Sequence, residues 1–139
     1  DNMDPDSTYT GLELFSHAEL LSLRNLDSLA LVTLDSIKMI ALWHPLSDEV
    51  LFSKAKIFIK QGDYQKADTL LQQIITQYPD DILADNALMK RAWLYEMVFD
   101  DSDTAMELYQ QMLTSYPGSL FTVEARRKFR QLRGDNVES

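Results

Sequence analysis

The stretch from Gly62 to Pro79, reading GDYQKADTLLQQIITQYP, constrains this chain most. Gly62 and Asp63 read as a turn followed by a helix N-cap. Glycine tolerates the positive φ that ends a preceding helix, and the Asp63 carboxylate can accept the open N–H groups of the next one. Ala67, Leu70, Leu71, Ile74 and Ile75 then recur three and four residues apart, the spacing of one apolar stripe on a helix. Pro79 has no N–H to donate and disfavours helix in the residue before it, so this helix should stop near Tyr78.

A turn glycine, a small alanine, apolar positions one and two turns later and a closing proline together resemble the second helix of a tetratricopeptide repeat. The resemblance implies a first helix upstream, with Ala55 as its small residue and Leu51 and Phe58 as its large and aromatic ones. Further along the chain it places Leu88, Ala92 and Tyr95 in a first helix, then Ala105, Tyr109, Met112 and Pro117 in a second. Towards the start it places Leu14, Ala18 and Leu21, then Ala30, Leu34 and Ile37. Ala18, Ala55 and Ala92 lie 37 residues apart, and Ala30, Ala67 and Ala105 lie 37 and 38 apart. A register held over three units marks a solenoid, because each unit needs its neighbours to bury its apolar face. The usual period is about 34 residues, so the excess is expected in the connections between units.

No alternating strand pattern occurs, and the expected fold class is all-α. We expect a right-handed α-solenoid of three helical hairpins, at about 10–46, 47–83 and 84–119, followed by a C-terminal capping helix at 120–133. Residues 1–9 read as an acidic disordered tail and 134–139 as a second tail. Thr10-Gly11-Leu12-Glu13 fits a capping box, which starts helix one near Gly11 and runs it to Leu23. The later helices are expected at Leu26–Leu42, from after an N-cap at Ser47 to Gln61, at Tyr64–Tyr78, at Ile82–Val98, from the Asp100–Asp103 turn to Tyr116, and at Leu120–Arg133, with Gly134 ending the last. That last helix copies a first helix, matching Leu88 to Arg126 and, with a one-residue offset, Ala92 to Phe129. Its polar surface suits a solvating cap.

The formal net charge of −9 argues against a general nucleic-acid binder and against docking to anionic lipid. With no cysteine there are no disulfides, cysteine zinc sites or thiol catalysis. No run of about 18 apolar residues is present to span a bilayer. His17 lies on helix one and His44 beyond helix two, and His17 and Glu19 do not share a helix face. There is no glycine-flanked nucleophile and no phosphate loop. Asp100, Asp101 and Asp103 lack the glycine and glutamate of a calcium loop, so a capped turn is expected. The chain therefore reads as a non-enzyme with no catalytic residue, cofactor or metal.

In the family it resembles, one face of each first helix lines a concave surface where peptides or partner helices dock. That register implies Phe15 and Glu19, then Phe52, Lys56 and Ile59, then Met89 and Trp93, then Arg126 and Arg130. Phe52, Met89 and Trp93 would form an apolar floor flanked by Lys56, Arg126 and Arg130; alternatively they pack between helices and the arginines are solvated. The asparagines of a carboxylate clamp are not matched. Helix seven carries one acid and five bases, a net +4, leaving −13 on the remainder. The expected partner is a protein or peptide. Apolar residues surround much of helix one, at Leu12, Leu14, Phe15, Leu20, Leu21 and Leu23, so a preceding repeat or a homodimer through helices one and two, with Val32 and Trp43, is expected to cover it. The YPDDILADNAL and YPGSLFTVEAR connections resemble long-linker repeats of bacterial envelope proteins, such as outer-membrane assembly lipoproteins and the Tol–Pal coordinator, which implies a periplasmic scaffold. Two other readings stand beside it: the terminal segment of a longer repeat array, and an accessory domain of a larger enzyme.

Overall fold

The computed structural model describes residues 5–40 and 47–134, with side chains from 10 to 37 and from 47 to 134. Seven helices run in order: α1 Pro5–Leu23, α2 Asp27–Ile40, α3 Ser47–Gln61, α4 Tyr64–Gln77, α5 Ala84–Met97, α6 Ser102–Ser115 and α7 Thr122–Arg133. Among the described residues there is no strand, so the architecture is the all-α helical repeat expected of an α-solenoid. Backbone contacts divide the chain into two compact units, 1–70 and 71–139, with the division inside α4.

Turn chemistry repeats as strictly as the alanines do. Asn25, Gly62 and Asp100 each take a left-handed φ, at 61°, 81° and 53°, and follow one another at 37 and 38 residues. After α1, Leu26 N–H donates to Leu21 O at 2.9 Å and Asn25 N–H to Ser22 O at 2.9 Å. After α3, Asp63 N–H donates to Phe58 O at 2.8 Å and Gly62 N–H to Ile59 O at 3.0 Å. These bond pairs close a helix C-terminus by satisfying its last carbonyls. The Asp63 carboxylate does not cap α4 through backbone N–H groups as expected; its Oδ2 lies 3.4 Å from Lys66 Nζ. The side-chain cap occurs in the next hairpin, where Asp101 Oδ1 accepts Thr104 N–H at 3.1 Å and Oδ2 accepts the Thr104 hydroxyl at 2.7 Å. Both bonds hold the Asp101 carboxyl below its usual range, the side-chain bond most.

The connections between hairpins carry the excess length. Asp81 N–H donates to Tyr78 O at 3.1 Å and Ser119 N–H to Tyr116 O at 3.0 Å, the same bond 38 residues later. The Tyr116 hydroxyl reaches back to Pro79 O at 2.8 Å, and the Ser119 hydroxyl donates to Asp85 Oδ2 at 2.6 Å. The change from 37 to 38 arises in the α5–α6 turn, where four residues, 98–101, replace the two at 62–63.

All six repeat alanines are buried; Ala18, Ala30, Ala55, Ala67, Ala92 and Ala105 expose 1% or less. At those positions a methyl group lets paired helices approach closely. The first unit has a core of Ala18, Ala30, Leu34, Ile37, Val50 and Ile57, with Leu14, Phe15, Leu21 and Leu31 against it. The second has Leu88, Ala92, Ala105, Leu108, Tyr109, Met112 and Ala125.

Three expectations on extent change. α1 begins at Pro5, so residues 5–9 are helical and Thr10 and Gly11 lie inside the helix instead of capping it. α5 and α7 begin two residues later than expected, at Ala84 and Thr122, because Leu83 and Phe121 serve as their N-caps. Gly134 ends α7 as expected, at φ 97°. Trp43, His44 and the end of helix two beyond Ile40 lie outside the described residues, as do 1–4 and 135–139.

Candidate functional site

In the first unit α1 and α3 enclose a cleft of about 210 Å³, lined by Ala18, Glu19, Ser22, Leu23, Leu34, Ser53, Lys56, Ile57 and Lys60. Its floor is apolar because Ala18, Leu34 and Ile57 belong to the core. Its rim is polar because the helix positions one turn apart alternate with them. The Ser53 hydroxyl donates to Glu19 Oε1 at 3.4 Å. Lys60 Nζ donates to Ser22 O at 2.8 Å and pairs with Asp27 at 2.9 Å, so it ties α3 to the end of α1. Lys56 is exposed, with its ammonium 5.3 Å above the half-buried Phe52 ring. Of the residues named from sequence, Glu19 and Lys56 line this cleft, while Phe15 packs in part against the core.

In the second unit Met89 packs in part against the core and Trp93, one turn later, is 40% exposed. Met97, a further turn along α5, is 61% exposed. Behind them Tyr109, 2% exposed, donates its hydroxyl to Glu96 Oε1 at 2.7 Å, and Glu96 Oε2 lies 3.4 Å from Lys128 Nζ on α7. Burial, and then that bond to Glu96, push the Tyr109 phenol far above its usual range. The phenol is therefore a fixed donor, not a titrating group. No cluster of three or more His, Cys, Asp or Glu among the described residues is placed to hold a metal. Among the described residues no helix is long and apolar enough to cross a membrane.

Residues 49–81, which take in α3 and α4, match the tetratricopeptide repeat model, and so do residues 86–119, which take in α5 and α6. These two stretches, which fall short of half of the chain, are similar to tetratricopeptide repeats. No curated protein matches the sequence. The α1–α2 hairpin and α7 lie outside the two matched repeats, yet Ala18 and Ala30 keep their register.

The buried alanines give a different alignment of α7 from the one expected. The longer α5–α6 turn makes α7 follow α5 at 38 residues, so Ala125 corresponds to Ala87, and both are fully buried. The counterparts of Met89 and Trp93 are then Arg127 and Gln131. Arg126 and Arg130 stand where the first helix of the matched repeat has Leu88 and Ala92. One residue is about 100° of helix rotation, so the two arginines sit on a different face from the one expected.

Lys60 and Met97 were missed by the sequence reading and Leu23 was named only as an apolar residue of helix one, although the three lie 37 apart and extend the Glu19, Lys56, Trp93 series by four residues. Continuing the i+4 step by one turn would have found them.

Proposed function

We propose that this chain is a non-catalytic scaffold whose first-helix faces dock a peptide or a partner helix. Tetratricopeptide repeats are generally protein–protein interaction modules, and repeat proteins use such faces for binding. The observation that carries the reading is Trp93, 40% exposed, with Met97 beside it at 61%. Indole and thioether groups left in water on adjacent turns are the residue types enriched in interface cores. In the first unit the α1–α3 cleft offers an apolar floor and the Lys56 ammonium. Phe52 and Met89 support these faces from half-buried positions. Selection of a displayed peptide library on the chain tests the reading. Trp93→Ala or Lys56→Ala should weaken the selected peptides by tenfold or more, on the order expected for a hot-spot residue, with the melting curve unchanged. Equal binding by both variants would sink it.

A second reading concerns α1 and α2. Leu23, Leu29 and Val32 are 81%, 55% and 62% exposed, whereas their counterparts 37 residues on are Lys60, Lys66 and Thr69. The first hairpin is thus apolar where the next is polar, which favours a homodimer or a neighbouring repeat over that face. Sedimentation equilibrium decides between them: a concentration-dependent dimer abolished by Leu29→Glu supports the former. The Tyr78–Leu83 and Tyr116–Phe121 connections support placing the scaffold in a bacterial envelope, by their resemblance to long-linker repeats. Recovery of the protein in the cytosolic fraction alone would remove that placement.

A further inference from the structure

We propose that the open face of α7 docks an acidic amphipathic helix of a partner protein, in the place that α6 occupies on α5. Leu88 and Ala92 are fully buried in one cluster with Ala105, Tyr109 and Met112 of α6. α7 repeats α5 38 residues later, and its Ala125 joins that same cluster at 0% exposure. One face of α7 is therefore used. The other presents Arg126 and Arg130, both exposed, at the positions equivalent to Leu88 and Ala92.

Arg126, Arg130 and Arg133 follow at i, i+4 and i+7, so they form one stripe about 10 Å long at 1.5 Å per residue. Val123, 72% exposed, precedes them on the same side. The basic residues of α7 are not equivalent. Lys128 pairs with Glu96 at 3.4 Å, and the Arg133 guanidinium lies 5.0 Å from the Phe129 ring centroid. Arg126 and Arg130 make no ion pair or hydrogen bond among the described residues. Two such guanidiniums, four residues apart, match carboxylates spaced the same way on a facing helix, each taken by a bidentate fork. Arginine in place of alanine also keeps the incoming backbone at a distance, so the contact is made by long side chains.

Charge selects the class of partner. The helix carries +4 and the remaining chain −13, which repels extended polyanions such as nucleic acid or an anionic bilayer. A short acidic helix matches the stripe of α7 in length and in charge.

The test uses the chain and a fluorescent alanine-based peptide of about 18 residues, long enough to be helical alone. The peptide carries Glu at i, i+4 and i+7; a control carries Gln there. The Glu peptide should bind at least about tenfold tighter, as expected when a charge-assisted hydrogen bond is lost. The preference should shrink as salt screens the charges. The double variant Arg126→Glu/Arg130→Glu, whose sites are exposed, should keep its helix content and lose the preference. Four outcomes overturn the proposal: no binding of the Glu peptide, equal binding of both peptides, equal binding by the charge-reversed chain, or tighter binding of a duplex oligonucleotide or of phosphatidylserine vesicles. A dimer of the parent chain that the double variant dissolves would also overturn it, by assigning the face to a second copy.

Discussion

Replacing Tyr109 by Phe removes one hydroxyl and leaves the ring in place. That hydroxyl donates to Glu96 Oε1 at 2.7 Å, and the site exposes only 2% of the tyrosine and 15% of the Glu96 side chain. A hydrogen bond to a charged group contributes about 1.5–3 kcal/mol. Glu96 keeps Lys128 at 3.4 Å and some solvent, so the lower half of that range is expected. For a chain of this size about 1.5–2 kcal/mol lowers the melting temperature by several degrees. The pH dependence separates this account from a simple packing defect. Burial and the Glu96 bond raise the folded phenol above its ordinary value of 10.0, so above pH 10 the unfolded chain ionises this tyrosine while the folded chain does not. Stability is therefore fully present below pH 10 and falls as the pH rises towards the folded value, by at most about 1.4 kcal/mol per pH unit from this group. Urea denaturation followed by circular dichroism at pH 7, 10 and 11 measures both effects. Tyr109→Phe should be less stable at pH 7 yet lose less between pH 10 and 11 than the parent. Parallel losses in the two proteins would refute the reasoning. So would an unchanged stability at pH 7.

Ala67→Leu forces three extra carbons into a site with no exposure and should destabilise by about 1–3 kcal/mol, read from the thermal midpoint; a parental midpoint would mean the alanine register is not a packing register. Asp101→Ala removes both bonds to Thr104 and should lower the melting temperature, while Asp101→Asn largely preserves it. Because the Asp101 carboxyl titrates below its ordinary range, its contribution is present above about pH 4 and should disappear as the pH falls further, so parent and Asp101→Asn should converge there. Trp93→Ala should leave the melting temperature almost unchanged, since the indole is 40% exposed, and act on binding alone.

The tandem hairpins were legible from the sequence because close helix packing demands small residues. A buried position with room for only a methyl group excludes most side chains, so Ala18 to Ala105 display their period openly, and all six are buried. Gly62 was legible for a similar reason, since a left-handed turn favours glycine. Asn25 and Asp100 hold the same conformation and were not read as such, because those residues also serve as caps and surface groups. The start of α1 was misread because Thr10 and Gly11 carry capping chemistry that the helix from Pro5 overrides. Tertiary structure alone decided which face of α7 is open. The two extra residues of the 98–101 turn are partly offset elsewhere, and sequence comparison left α7 ambiguous between 37 and 38. Only the burial of Ala125 with Ala87 resolves it, because a one-residue shift on a helix exchanges the packed face for the exposed one. The cleft between α1 and α3 needed structure too: it depends on where Lys60 and Ser22 meet across 38 residues, and helical period relates positions within one helix, not between two.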